Sequence, residues 1–299
     1  MSLFDRTLIA TLPLMPKVIV QRFSARYIAG ESDEDAMRVV RELNRETVMG
    51  TVDVLGEHTS APEAARETLG IYKELLNAVD RQGLDCNISV KLSAVGLKID
   101  TEFCMELMTE LMEHAGRIGN FVRIDMEDST CTSATLEIHR RLRERFDNVG
   151  VAIQAYLRRT DDDVDQLREL RANVRLCKGI YVEDRRIAYR DRTIIQRNFV
   201  HLLERLLEGG CYVGIATHDE LLAWEAQRLV RALQLAPSQY EFQMLLGVDE
   251  MLRRTLVEAG HRMRVYVPYG RRWYEYSMRR LKENPKIAGY VLKNLLRAS

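Results

Sequence analysis

Absences narrow the chemistry of this chain before any motif is read. Its five cysteines, Cys86, Cys104, Cys131, Cys177 and Cys211, are odd in number, contain no C-x-x-C pair and keep no repeating interval. That argues against both a disulfide framework and a thiolate zinc site. None of the six histidines stands at H-x-x-x-H spacing, so no metal is expected. There is no G-x-G-x-x-G after an apolar run, no G-x-x-x-x-G-K-[ST], no G-x-S-x-G and no H-E-x-x-H. Dinucleotide, P-loop, serine-hydrolase and zinc-protease readings therefore lose their motifs. Excess charge is missing too. Lys plus Arg number 44 against 44 Asp plus Glu, so composition predicts no long-range pull toward nucleic acid or anionic lipid. The only N-terminal candidate for a targeting or spanning segment, residues 8–20, is interrupted by Pro13, Pro16 and Lys17. A cytoplasmic protein with reduced, mostly buried thiols is the expectation.

What is present is the composition of a large folded unit. With 299 residues, 46% hydrophobic and 29% charged, the chain can bury roughly 75% of its unfolded surface on folding. No low-complexity tract or Gly/Ser/Pro-rich linker divides it. Eight short β-prone apolar runs recur, at residues 51–55, 88–92, 121–125, 151–156, 174–178, 211–218, 240–245 and 265–268. Amphipathic segments lie between them, such as 63–79, 102–117, 134–146, 164–171, 194–208 and 249–258. Parallel strands joined by crossover helices need this spacing, and eight units in this length point to an α/β fold of the (βα)8 TIM-barrel type. An open doubly wound sheet would show the same alternation. Ahead of the first run, Ser32-Asp-Glu-Asp35 has the form of a helix start, with helix continuing over 36–47. The expected organisation is an N-terminal helical segment, 1–46, packed on a barrel domain, 47–299. Past the eighth run the pattern predicts helix over 273–282, a break at Pro285, and a last helix over 286–297.

In a βα barrel the working face is the C-terminal end of the strands. Polar residues there are Glu57, Lys91, Asp125 with Glu127, Gln154 with Arg158, Lys178, Thr217 with His218, Gln243 and Tyr266. Individually each has a plain reading: Lys91 and Lys178 as solvated cations, Asp125 as a helix cap, His218 as a core histidine. Their convergence on one rim points to a site. After the eighth run, Tyr276, Arg279, Arg280 and Glu283 fall at i, i+3, i+4 and i+7 and share one helix face. Paired guanidiniums beside a phenol suit a small carboxylate, through forked charge-assisted hydrogen bonds. A solvated Arg-rich face is the alternative, and the residues alone do not name a reaction.

At these same positions the sequence resembles the proline dehydrogenase family. The matching pieces include Leu55-Gly-Glu57, Ile88-Ser-Val-Lys-Leu-Ser-Ala94, Val122-Arg-Ile-Asp-Met-Glu127, Val151-Ala-Ile-Gln-Ala-Tyr156, Arg175-Leu-Cys-Lys-Gly-Ile-Tyr181, Ala216-Thr-His218, Tyr240-Glu-Phe-Gln-Met-Leu245, Tyr266-Val-Pro-Tyr-Gly270 and Tyr276-Ser-Met-Arg-Arg-Leu-Lys-Glu283, in order through nearly the whole chain. The resemblance implies a distorted barrel that holds FAD without a covalent bond, with its final helix, carrying Glu283, over the site. It implies oxidation of L-proline to 1-pyrroline-5-carboxylate by hydride transfer from C5 to flavin N5, with electrons passing to a quinone. By motif position, Arg279, Arg280 and Lys91 would clamp the substrate carboxylate, while Tyr266, Tyr276 and Leu245 would pack around the pyrrolidine ring. Asp125 would pair with Arg280, and Glu57 with Arg279 as a gate. Arg175 would lie near flavin N5. Gln154, Lys178, Gly179, Ile180, Thr217, His218 and the Met126 backbone would hold the cofactor. Ile180 replaces a small Ala frequent in the family, and the Tyr266 phenol is linked by the resemblance to preference for proline over 4-hydroxyproline.

Implied partners are a quinone at a membrane surface, with peripheral attachment to its inner face, and a pyrroline-5-carboxylate dehydrogenase that takes the product; nucleic acid is not among them. Two other classes stay open on the residues. One is a Schiff-base lyase or aldolase with Lys91 or Lys178 as nucleophile, its pKa lowered by neighbouring cations. The other is a non-catalytic interaction protein.

Overall fold

β-branched and apolar residues at every second position, with both faces of each strand covered, build eight parallel strands: β1 (Met49–Val54), β2 (Cys86–Val90), β3 (Val122–Ile124), β4 (Val149–Gln154), β5 (Asn173–Cys177), β6 (Tyr212–Ala216), β7 (Tyr240–Leu245) and β8 (Met263–Tyr269). They are seen in a computed structural model that describes Val20, residues 24–56 and residues 59–283, with the side chains of 279–283 outside that description. Neighbours in sequence are neighbours in the sheet, and β8 pairs with β1 in parallel register, Thr51 opposite Tyr266 and Asp53 opposite Pro268. The sheet is therefore a closed barrel, and the open doubly wound alternative is excluded.

Nine helices occur among the described residues: α1 (Asp33–Arg45), α2 (Pro62–Arg81), α3 (Thr101–Arg117), α4 (Thr132–Arg143), α5 (Thr160–Glu169), α6 (Arg192–Glu208), α7 (Glu220–Ala232), α8 (Glu250–Glu258) and α9 (Trp273–Glu283). α7 adds to the segments named from the sequence. α5 starts four residues before its expected first residue, where Asp161, Asp162 and Asp163 in the first turn complement the helix dipole. The expected 88–92 run ends early as a strand, because Leu92–Val95 turns into a short 3-10 helix that leaves Lys91 at the barrel's mouth. Residues 1–19 of the expected first segment, Glu57 and the expected last helix lie outside the described residues.

α1 starts with the capping box read from the sequence, Ser32 and Asp35 bonding each other's backbone. Its buried Met37 and Val40 belong to the main core, and the helix packs on β8 and β1. That is the wall position a helix after β8 would normally fill. α9 is consequently released to lie across the barrel's mouth, where Tyr276 packs with Ile28 and Leu55 and Trp273 Nε1 donates to Glu31 at 2.8 Å.

The barrel core is divided by strand alternation. Val52, Ile88, Val90, Val122, Ile124, Val174, Leu176, Val265 and Val267 are fully buried in the main apolar core. The intervening residues Thr51, Asp53, Ser89, Arg123, Arg175, Glu241, Gln243 and Arg264 are buried and polar. Bonds between strands that are not neighbours, as from Arg175 on β5 to Ser89 on β2 and Gln243 on β7, show that they fill the lumen. Buried charge needs partners. Arg264 Nε meets Glu241 at 2.8 Å; burial alone would raise that carboxyl, but Arg264, Gln243 and Tyr212 outweigh it and hold it at about 2. Arg123 has carbonyl partners instead, Asn173 at 2.6 Å and Val151 at 3.3 Å, and burial pushes its guanidinium down to about 9. Gly150 makes room for it, since a Cβ there would lie 2.5 Å from Arg123 Nη1 and 2.4 Å from the Asn173 carbonyl.

His139, on α4, is 1% exposed and neither ring nitrogen has a hydrogen-bond partner. Burial, with Arg123 and Arg143 nearby, depresses its pKa to about 3. The folded state holds it neutral while the unfolded chain takes up a proton near pH 6.5, so stability is present above that pH and drains as pH falls toward 3. His139→Leu is expected to flatten the decline of the urea midpoint between pH 6.5 and 4, where the histidine contributes on the order of a few kcal/mol. Equal slopes for variant and parent would contradict this.

Candidate active site

At the C-terminal mouth the lumen opens into a cavity of about 310 Å³. Its floor is organised by one carboxylate. Asp125 follows β3 and continues the ladder, its N–H donating to the Val90 carbonyl at 2.9 Å. Asp125 Oδ1 accepts from Arg175 Nη1 at 2.6 Å, and Oδ2 accepts from the Tyr266 hydroxyl at 2.7 Å. Lys91 Nζ stands 3.7 Å from Oδ2. Arg175 is also held by Ser89 Oγ, at 3.0 Å, and by Gln243 Oε1, which accepts from Nε at 2.6 Å. Its charge centre lies 5.2 Å from the Tyr266 ring centroid. Arg175 Nη2 is buried without a hydrogen-bond partner. Burial and the nearby Asp125 and Asp53 carboxylates push the Tyr266 hydroxyl well above its ordinary value, so it stays a neutral donor.

Lys91 is not free to serve a clamp alone. Its ammonium donates to Asp53 Oδ1 at 2.5 Å and lies 3.5 Å from the Tyr266 oxygen. Burial works against its charge, but Asp53 and then Asp125 outweigh that and raise its pKa above the ordinary lysine value. The Schiff-base reading needs the opposite shift, so the Asp53 and Asp125 carboxylates beside Lys91 count against it. Lys178, the other candidate nucleophile, is held by Asp219 Oδ2 at 3.1 Å. That oxygen also takes Arg192 at 3.1 Å and Gln196 at 2.8 Å, and Thr217 Oγ1 accepts the Asp219 N–H at 3.0 Å. Thr217 thus braces the residue that anchors Lys178.

The remaining expected residues come together as follows. Met126, Gln154, Gly179 and Ile180 line the cavity, as do His218, Leu245, Tyr266 and Tyr276. Gln154 Nε2 donates to the Glu127 carbonyl at 3.0 Å, and Glu127 takes the Ser93 N–H at 2.9 Å, which ties β4 to the turn after β2. His218 Nε2 accepts the Leu245 N–H at 2.8 Å, so in the neutral ring the proton sits on Nδ1. Ile180 is 49% exposed at the rim. Arg279, Arg280 and Glu283 lie on α9 by backbone, but their side chains, like Glu57, fall outside the described residues. The Asp125 oxygens take donors from Arg175 and Tyr266, and the expected Asp125–Arg280 pair lies outside the described residues. Among the described residues no cluster of three or more His, Cys, Asp or Glu is placed to hold a metal ion. Cys177 lines the cavity, but burial raises its thiol to about 11, which leaves it a weak nucleophile.

Asp53 was missed by a reading confined to strand ends. The signal was the alternation within Thr51-Val52-Asp53-Val54, which sets an acid on the lumen side of β1.

A family model described as Proline dehydrogenase matches residues 36–292. Proline dehydrogenase 1 of Bacillus subtilis subsp. natto is 36% identical over 288 residues, 96% of this chain and 95% of that protein. The proline dehydrogenase of Deinococcus radiodurans is 36% identical over 91% of this chain and 89% of its own length. Among solved structures, proline utilization A (PutA) from Bdellovibrio bacteriovorus superposes with a TM-score of 0.81 at 25% identity, over 87% of this chain. This chain spans about a third, 32%, of that longer polypeptide.

Gly179, with φ +112°, passes so near Tyr156 that a Cβ would lie 2.1 Å from its ring. Gly179→Ala is therefore expected to lower the urea midpoint by the equivalent of about 1–3 kcal/mol. A midpoint equal to the parent's would show that the loop relaxes without cost.

Proposed function

The chain belongs to the proline dehydrogenase family, and from that premise we propose that it oxidises L-proline to 1-pyrroline-5-carboxylate with a non-covalently held FAD, its electrons passing to a quinone. The observation that carries this reading is Arg175: a buried guanidinium fixed by Asp125, Ser89 and Gln243 on the cavity floor, with Nη2 unspent. An unspent buried donor fits the electron-rich edge of a flavin. Gly179 also lines the cavity, its backbone set close against the Tyr156 ring. Bound there, the flavin would supply the two-electron chemistry, accepting a hydride from C5 of the ring.

The protein's own residues bind and orient. Arg175 places positive charge where negative charge develops, in a site sheltered from water, and Lys178 adds a second cation anchored on Asp219. Gln154, Thr217, His218, Gly179, Ile180 and the Met126 backbone would position the cofactor. Tyr266 and Leu245, opposite one another on β8 and β7, and Tyr276 on α9 form an apolar slot for a five-membered ring. Arg279 and Arg280 on the α9 backbone would take the substrate carboxylate, with Lys91 below, Glu283 on the same helix and Glu57 pairing Arg279 as a gate. Since Asp53 and Asp125 largely balance Lys91, the field that favours loss of the substrate's ammonium proton falls to Arg279 and Arg280. The barrel proper, 47–299, would be the catalytic domain and 1–46 the segment packed on it. No helix among the described residues is long and apolar enough to cross a membrane, and contact with quinone is proposed at a membrane surface. The likeness to the bifunctional protein PutA of Klebsiella aerogenes, of which this chain spans 24%, supports hand-over of the product to a pyrroline-5-carboxylate dehydrogenase.

The test is spectroscopic. The purified protein is expected to be yellow and to lose its visible flavin absorbance when L-proline is added without oxygen. A protein that stays colourless after incubation with FAD, or a flavin band that proline leaves unchanged, would refute the proposal.

A further inference from the structure

Asp53 is a carboxylate in an expensive place. It sits on β1 inside the barrel with its side chain 1% exposed, opposite Ser89 and Pro268 in the ladders. One oxygen accepts from the Lys91 ammonium at 2.5 Å, and the other, Oδ2, is buried with no hydrogen-bond partner. Burial pushes the Asp53 carboxyl above its ordinary value against the pull of Lys91. Aliphatic residues of similar volume in place of both members of the pair would serve stability as well or better. The acid is explained by what its partner would otherwise do.

Lys91 Nζ is 3.7 Å from Asp125 Oδ2, the same oxygen that accepts the Tyr266 hydroxyl. A lysine released from Asp53 has only a short distance to close before it pairs fully with Asp125. It would then compete with Tyr266 for Oδ2 and with Arg175 for the charge of that carboxylate. We propose that Asp53 is a positioning residue: by holding Lys91 on the β1 side of the lumen it reserves Asp125 for Arg175 and Tyr266. This deepens the functional reading above and rests on it wherever turnover is measured.

A double-mutant cycle joined to a ligand-free structure tests it. Asp53→Asn is expected to lower kcat with L-proline by about 10-fold, with a lower melting temperature because one partner of a buried pair is lost. In a Lys91→Met background the same change is expected to cost less than about twofold, because the competitor is gone. In the ligand-free crystal structure of Asp53→Asn, Lys91 Nζ is expected at hydrogen-bonding distance from Asp125, with the Tyr266 hydroxyl displaced. Should Asp53→Asn not fold, Asp53→Ser carries the same cycle. Equal losses in the two backgrounds, or a Lys91 that keeps its distance from Asp125 in the variant, would overturn the proposal. A parent that never turns over proline would sink the functional reading instead, and the structural arm would still decide the role of Asp53.

Discussion

A single carboxylate shared among side chains from different walls of the barrel is the constraint on which the site depends. Asp125, at the end of β3, binds Arg175 from β5 and Tyr266 from β8, with Lys91 from the end of β2 close behind. Three groups that are far apart in sequence are thereby fixed relative to one another by short bonds in a low-dielectric interior, where such bonds are strong and unpaired charge is expensive. The barrel supplies the rest of the frame. Arg175 is braced by Ser89 and Gln243, and Gln243 in turn donates to Glu241, which is paired with Arg264. The network runs from the cavity floor into the lower lumen without reaching solvent, so the cation beneath the cavity cannot easily swing away.

That arrangement costs stability which an aliphatic lumen would not. Asp53, Arg123, Asp125, Arg175, Glu241 and Arg264 are all buried, although bulky branched residues usually dominate the interior of such barrels. Small residues accept the long side chains, as Gly150 does for Arg123. A polar lumen is understandable if the fold is selected for a fixed electrostatic floor rather than for maximal stability. The exchange of roles between α1 and α9 belongs to the same design. With α1 covering β8 and β1, the helix after β8 is free to bring Tyr276, and the backbone of Arg279 and Arg280, to the mouth.

The fold was legible because it follows from periodicity. Tyr240–Leu245 is the same span in the sequence reading and in the barrel, and the other runs differ only at their ends. Those ends moved for local reasons, such as the 3-10 turn at Leu92–Val95 after β2. Much of the site was legible too, since Lys91, Asp125, Gln154 and Lys178 stand where strands stop. What sequence could not give is pairing. That Lys91 meets Asp53 and Asp125 meets Arg175 depends on which lumen residues meet across a closed barrel. That depends on register between strands, which no single strand encodes. Thr217 shows the same limit: its position beside His218 marked it, but the Asp219 N–H that its hydroxyl accepts could not be read from that position.

The most direct measurement of the central claim is kcat/KM for L-proline in Asp125→Asn, taken alongside the melting temperature. With the shared carboxylate neutralised, Arg175 and Tyr266 lose their common anchor. The account predicts a fall of about 100-fold or more, as expected when a preorganised electrostatic contact is removed, in a protein that still melts cooperatively. Parent-like kcat/KM in that variant would contradict it.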